Sequence, residues 1–538
     1  RVWSMNLTEI ESFLTESVLE QSGSPPVDSP TLQRLVARLR AGQPIVATAI
    51  GQSNTASHAG CFGGRGCAED RTRRHLNATR PSHGWAGELM QWINATWPHP
   101  RHELYNHAAG ASNSKFSSMC LANHLAPKTD LLLVDYNLGG WDHQAQEHFA
   151  RTAAVLAHPP FVLYVGLLNW CPPTNVSRSD VLALMRKQKD GPLREYTPAR
   201  IKLEGRQCRS AFASRRFTSF DAIGDTLARV AAHYGQGFVS VFRALRSVLG
   251  SDHPHLHEPL QLTQDGIHGT YSMSTSGPKR SAYYTSLTAM LIHYVRKAAV
   301  AYLGATEMAS SAAAAPLPPT LHPDVTPPSR MLACHGWDPI IFDLPAPRVL
   351  RNTSVEGGGW HYNEFTTNGT RQRKPGLVSL QGGDAVDLEV AMGGSAAYAR
   401  REGWPAPAST ACIGLTYLES YELMGVVNAS CLPPCACLPR AMDALNARAS
   451  GSLFHTIEVE ASVIGATCAL RLVNEGRPGS VELSKFRLSG MYVRRAAAQP
   501  SGERAHETGT TLGEARSVCE RAPNTPRLSE NQIPGVNA

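Results

Sequence analysis

Two short segments hold the residue types of acyl-transfer chemistry. The first is Gly51-Gln52-Ser53-Asn54, directly after the apolar run Ile45 to Ile50, and the second is Asp265-Gly266-Ile267-His268, far downstream and just ahead of a long helical pattern. A serine hydroxyl becomes nucleophilic at neutral pH only when a base takes its proton. A carboxylate three residues before a histidine can hold the imidazole Nδ1–H and leave Nε2 free for that task. Ser53, His268 and Asp265 would then be nucleophile, base and orienting acid. Serine after a strand also commonly caps the next helix, and a lone D-x-x-H is unremarkable in a chain with 21 histidines. The two segments in this chain order are far rarer than either part.

Positioning these groups takes a scaffold, and the hydrophobic pattern supplies one. Strand-length apolar runs at Ile45 to Ile50, Glu103 to Tyr105, Leu131 to Asp135, Phe161 to Leu168 and Phe238 to Phe242 alternate with amphipathic helical stretches. The helices fall at Gly84 to Ala95, His143 to Ala157, Ser179 to Lys187, Ser219 to Tyr234 and Ser281 to Tyr302. Alternation of this kind implies right-handed crossovers and a parallel sheet covered on both faces, with ligands bound beyond the carboxyl ends of the strands. The domain reading is an N-terminal helical extension over 1–40, an α/β domain over 41–303, a Pro/Ala-rich linker over 304–330, an all-β domain over 331–495 that reads as a sandwich, and a flexible tail over 496–538.

With 538 residues, 42% of them hydrophobic and 18% charged, the chain can bury sizeable cores, so wholesale disorder is excluded. The net charge of +7 is scattered rather than interleaved with aromatics, which argues against nucleic acid as a partner. No apolar run approaches the roughly 20 residues of a membrane span. Twelve cysteines avoid C-x-x-C spacing, and Cys431, Cys435 and Cys437 have no histidine at ligand spacing, which favours disulfides over metal. Five cysteines precede residue 300 and seven follow it, so full pairing requires one bond between the halves. Sequons at Asn6, Asn77, Asn94, Asn175, Asn352, Asn368 and Asn428 add to the picture of a glycoprotein of the secretory pathway, extracellular or at the cell surface. The chain opens at Arg1 without an apolar leader, so any signal peptide or anchor is expected to have been removed or to lie outside this sequence.

The segments around Ser53 and Asp265/His268 resemble the SGNH (GDSL-type) hydrolase family over about residues 40 to 302. That resemblance implies a flavodoxin-like α/β fold, esterase or acyl-hydrolase activity, and no cofactor or metal. It also implies an oxyanion hole built from the Ser53 N–H and from Gly110, or its neighbour Ala111, in the turn after Glu103 to Tyr105. The family's Gly-Asp-Ser is Gly-Gln-Ser here, and its third-block asparagine is replaced by Gly139 and Gly140, with Asn137 two positions early as the remaining donor. The run Ile413 to Glu422 and the cysteines after it resemble the C-terminal β-sandwich of SGNH-like proteins from plants and green algae. Trp360, Tyr362, Tyr417 and Tyr421 offer sugar-stacking faces there, although at strand spacing such aromatics more often pack a core.

The leading functional reading is a serine esterase acting on an ester or glycan substrate, an O-acetylated glycan above all. A glycan O-acyltransferase is its close chemical relative. The competing class is a non-enzymatic glycoprotein that keeps an SGNH-like scaffold and binds a polysaccharide or glycoprotein partner through its β domain. The compartment reading predicts that endoglycosidase treatment shifts the gel mobility of protein secreted from a eukaryotic host. Unchanged mobility, with all cysteines titrating as free thiols in the native protein, would refute it.

Overall fold

The computed structural model describes residues 14–26, 28–56, 75–77, 84–110, 112–136, 143–167, 217–249, 273–274, 277–278, 282–302, 317–322, 325–338, 345–354, 359–365, 373–392, 410–420, 423–445, 452–462, 466–477, 484–496 and 519. The first domain is built on six strands, β1 (Val46–Gly51), β2 (His75–Asn77), β3 (Glu103–Asn106), β4 (Leu131–Asp135), β5 (Phe161–Gly166) and β6 (Gly237–Ser240). Their order across the sheet is β2-β3-β1-β4-β5-β6. All pairings are parallel except that of the short edge strand β2 with β3. Without β2 this is the flavodoxin-like order, in which the chain reverses direction across the sheet between β1 and β4.

The strands are buried on both faces, as parallel strands must be when helices cover both sides. Ala47, Ala49, Leu131, Leu133, Leu163 and Val165 point into one core. Ile50, Leu132, Val134, Val162 and Tyr164 point into the other. The first layer holds helices α1 (Glu16–Ser22), α2 (Pro30–Arg40), α3 (Trp85–Thr96), α8 (Val241–Leu249) and α9 (Ala282–Ala301). The second holds α4 (Ser114–Met119), α5 (Leu121–His124), α6 (His143–Ala154) and α7 (Phe217–His233). Val18, Leu32, Leu35, Val36 and Leu39, in the segment read as an extension, share the first core. The strand read as running to Phe242 stops at Ser240, whose Oγ accepts the Arg243 N–H and so opens α8. A two-residue antiparallel ladder, β7 (Met273–Ser274) with β8 (Gly277–Pro278), precedes α9. No described helix is long and apolar enough to cross a membrane.

The second domain is all-β. One antiparallel sheet has β10 (Arg348–Thr353), β13 (Ala385–Ala391), β19 (Thr467–Gly476), β15 (Val426–Leu432) and β17 (Arg440–Asp443), in that order. The other has β11 (His361–Phe365), β12 (Arg373–Ser379), β20 (Phe486–Arg495), β14 (Thr410–Glu419), β18 (Leu453–Ser462) and β16 (Ala436–Cys437), with β9 (Met331–Gly336) also paired to β20. Ile413, Leu415, Leu488 and Val493 of one sheet face Leu388, Val427, Leu470 and Leu472 of the other across a common core, which makes a sandwich.

The outer face of the β14–β18–β20 sheet is where the two domains meet. Phe116 from α4 fills the space above Gly490, where an added Cβ would lie 2.4 Å from its ring. Phe116, Met119, Met331 and Tyr492 form a small cluster around a disulfide between Cys120 and Cys334. It is a bond between the halves, as full pairing of the cysteines would require. Cys412 pairs with Cys519, Cys431 with Cys437 and Cys435 with Cys468, so every cysteine after residue 300 is bonded. Residues 317–322 run back along the first domain. There the buried Glu147 carboxylate accepts the Leu321 and His322 N–H groups at 2.7 and 2.9 Å, and Arg151 donates to the Pro318 carbonyl at 2.9 Å.

One buried carboxylate anchors this interface. Glu458 on β18 accepts from the Tyr492 hydroxyl at 2.6 Å and from Arg494 at 2.6 and 2.9 Å, while Lys115 of α4 approaches to 3.8 Å. Burial alone would raise its pKa, but Lys115, Arg494 and Tyr492 outweigh burial and hold it below the ordinary 4.5. A depressed carboxylate contributes stability above its unfolded pKa and loses it as pH falls through the folded value. Glu458→Gln should therefore lower Tm near pH 7, and the gap to wild type should close as pH falls below about 4.5. Thermal denaturation across that range tests it; a gap that stays constant would mean the carboxylate's charge contributes nothing.

Candidate active site

β1 and β4 end in register, with Gly51 opposite Asp135. The Gln52 N–H continues the pairing to the Asp135 carbonyl at 3.1 Å, after which the chain makes one helical turn, closed by Ala56 N–H to Gln52 O at 2.9 Å. Of the five residues in this turn, Gln52, Asn54 and Thr55 are buried and Ser53 and Ala56 are half-buried. Each neighbour is fixed. The Tyr284 hydroxyl of α9 donates to Asn54 Oδ1 at 2.6 Å, the Thr55 hydroxyl donates to Asp135 Oδ2 at 2.5 Å, and Asn106 Nδ2 donates to the Thr55 carbonyl at 2.7 Å. The turn thus holds half-buried Ser53 at the carboxyl edge of the sheet, where the chain reverses.

A second turn lies alongside on the β3 side. β3 pairs with β1 beyond its own end, with His107 N–H to Ala49 O at 2.8 Å and Ala109 N–H to Gly51 O at 3.0 Å. Ser112 N–H then closes on Ala109 O at 3.2 Å, which places buried Gly110 inside a tight turn. The Ser112 hydroxyl contacts the Gly51 and Ala109 carbonyls at 2.9 and 2.7 Å, and Gln52 Nε2 donates to the Ser112 carbonyl at 2.8 Å. Ser53 and Gly110 are therefore carried on two turns tied to each other by backbone and side chain.

Gln52 is the residue whose role the sequence left unread, beyond noting a change from the family pattern. A carboxylate at this position has no proton to donate to the Ser112 carbonyl, and an amide does. Asp135 closes the apolar run Leu131 to Val134, and a carboxylate in that place is a sign of a polar task at the sheet edge. Next to it, Tyr136 stacks on Phe149 at 5.6 Å between ring centroids and donates to Ser117 Oγ at 2.6 Å. Burial pushes its phenol up to about 12, against the opposing hydrogen bonds of Ser117 and Ser112, so it remains a neutral donor at physiological pH.

Asp265, His268, Asn137 and Ala111 lie outside the described residues, as do the sequons Asn6, Asn175 and Asn368. Asn77 lies on β2, and Asn94, near the end of α3, accepts from the His99 N–H at 3.1 Å. Asn352 uses both amide atoms on the Trp360 backbone, at 2.7 and 3.0 Å, and Asn428 donates to Glu475 at 3.3 Å. Of the four candidate stacking aromatics of the β domain, Trp360 and Tyr417 are buried against Phe486, Tyr362 is exposed, and Tyr421 lies outside the described residues. Among the described residues the one grouping with metal-ligand geometry is Glu16, Glu20 and His293, between α1 and α9, where Lys297 already pairs with Glu20.

No family model and no curated protein matches the sequence. Among solved structures the chain is similar to a two-domain esterase (CEX) active on acetylated mannans, at 12% identity and a TM-score of 0.49, over 89% of this chain and 99% of that one. It is also similar to a GDSL-like lipase from Parabacteroides merdae, at 9% identity and a TM-score of 0.30, over 47% of this chain and 96% of that one. A carbohydrate-binding module of Cellvibrio mixtus lichenase 5A is similar over 31% of this chain and 99% of that one, at 10% identity and a TM-score of 0.18. Likeness at this level does not bear on chemistry, which rests on the residues themselves.

Gly51 sits where the two turns and β4 converge. A Cβ there would lie 2.6 Å from the Asp135 carbonyl oxygen and 2.9 Å from both Asp135 Cβ and Thr55 Oγ1. Gly51→Ala should cost roughly 1–3 kcal/mol as the overpacked turn shifts, read as a lower Tm. A variant with wild-type Tm would show that the turn is not so constrained.

Proposed function

We propose that the chain is a serine esterase of the secretory route that acts on ester-bearing glycans, with O-acetylated glycans as the substrate class. The observation that carries this reading is the placement of half-buried Ser53 between buried, hydrogen-bonded neighbours, at the edge of the sheet where α/β proteins bind ligands. The resemblance of the Ser53 and Asp265/His268 segments to SGNH hydrolases supports it from the sequence. The disulfides support an oxidising compartment, and a β domain covalently joined to the α/β domain suits an extended substrate.

In this reading Ser53 Oγ attacks the ester carbonyl while His268 Nε2 takes its proton and Asp265 holds Nδ1–H. The tetrahedral oxyanion is met by the N–H groups of Ser53 and Gly110 and by the Asn137 amide. Collapse breaks the bond to the sugar oxygen, which leaves with the proton returned by His268, and an acyl-Ser53 remains. Water, deprotonated by His268, attacks this ester and releases the acid and free Ser53. The turn geometry bears on the rate because donors already held in place need not reorganise as the charge develops.

A fluorophosphonate probe should label Ser53, and Ser53→Ala should abolish both labelling and release of acetate from acetylated polysaccharide. Asn137→Ala should lower kcat by roughly 10²–10³ with little change in KM, since that bond strengthens only in the transition state. His268→Ala should cost more. Folded wild-type protein that neither labels nor hydrolyses any ester would defeat the proposal and leave a binding glycoprotein on an SGNH-like scaffold.

A further inference from the structure

The turn that carries Gly110 does not belong to the α/β domain alone. Asn113 ends it, with 6% of its surface exposed, and its carboxamide works in both directions. Oδ1 accepts the Phe116 N–H at 3.0 Å and so caps α4, while Nδ2 donates across the domain boundary to the Phe454 carbonyl at 2.8 Å and to Thr456 Oγ1 at 3.0 Å. Thr456 is held in turn by the Thr416 hydroxyl at 2.8 Å, so the acceptor pair is fixed by two strands of the sandwich, β18 and β14. α4 then seats Phe116 on Gly490, brings Lys115 to Glu458 and ends at the Cys120–Cys334 bond. Ala109 and residues 112–120 are thus bound on one side to the serine turn, through Gly51 and Gln52, and on the other to the sandwich.

We propose that Asn113 is a positioning residue through which the β domain sets the oxyanion turn, so that the sandwich is an obligate part of the esterase rather than a detachable binding module. This rests on the esterase reading. A turn bonded to β1 on one side alone can still tilt about that attachment, and a donor displaced by about an ångström loses much of its effect on the transition state. The Asn113 bonds to β18 remove that freedom. Asn113 need not touch substrate, so its effect should fall on kcat and leave KM nearly unchanged.

Two variants test the proposal in the full-length protein. Asn113→Asp keeps the acceptor that caps α4 but cannot donate to the Phe454 carbonyl. Thr456→Val removes the hydroxyl from the sandwich side and leaves every residue of the α/β domain as it is. Each should lower kcat on an acetate ester about tenfold with KM within about twofold, and each should speed amide hydrogen exchange over residues 109–112. Wild-type kcat and wild-type exchange in both variants, in protein whose Ser53 labels normally, would overturn the coupling. Faster exchange with unchanged kcat would also overturn it, because the turn would then move without consequence. If wild-type Ser53 itself fails to label, it is the esterase reading that falls, and exchange over 109–112 still reports separately on the contact.

Discussion

The Gly51 carbonyl and the missing side chain beside it are the constraint on which the candidate site depends. That oxygen accepts both the Ala109 N–H and the Ser112 hydroxyl, so it ends β1 and fixes the neighbouring turn in one stroke. On the opposite side the Gly51 Cα lies against the Asp135 backbone and Thr55, with no room for a Cβ. Three strand ends are thereby drawn within hydrogen-bond reach of a single residue. Gln52, Asn54 and Thr55, which follow, are buried and bonded to Ser112, Tyr284 and Asp135, and Ser53 among them is half-buried.

The second dependence is on a sheet surface that would ordinarily face water. A sandwich keeps its inner faces apolar and its outer faces polar, and β14, β18 and β20 obey that rule with Thr416, Thr456, Glu458 and Arg494 on the outside. Here the outer face is covered, so each polar group needs a partner, since an unpaired buried charge is expensive. Glu458 has Arg494 and Tyr492 from its own domain and Lys115 from the other, and Thr456 has Thr416 and Asn113. The interface is satisfied only when both domains are present.

Much of the α/β domain is legible in the sequence. Leu131 to Val134 and Phe161 to Gly166 are unbroken apolar runs of strand length, and buried parallel strands require such runs. Ser53 stands out for the same reason, as a small polar residue two positions after the glycine that ends one. β20 is far harder to read, because in Phe486–Arg495 the buried Arg487 and Arg494 interrupt the apolar pattern, and their burial is explained only by partners on other strands. The roles of Gln52 and Asn113 are invisible for a related reason. Each depends on an acceptor supplied from elsewhere in the chain, Ser112 for the first and β18 for the second. Cysteine arithmetic could require one bond between the halves, but the choice of Cys120 and Cys334 follows from the packing of α4 against β9 and β20.

These long-range bonds also bear on why two domains with separate cores form one unit. Cys120 and Cys334 are 214 residues apart, so closing that loop restricts the unfolded chain considerably, by on the order of 5 kcal/mol in a chain-entropy account. A covalent tie of this strength is unnecessary for a module that only concentrates substrate, since a flexible linker does that well. It becomes useful when the relative placement of the domains has to be held to within a hydrogen bond. The tie sits at the end of α4, one short helix beyond the Gly110 turn, and so fixes the two domains at a point where small displacements would reach the proposed site.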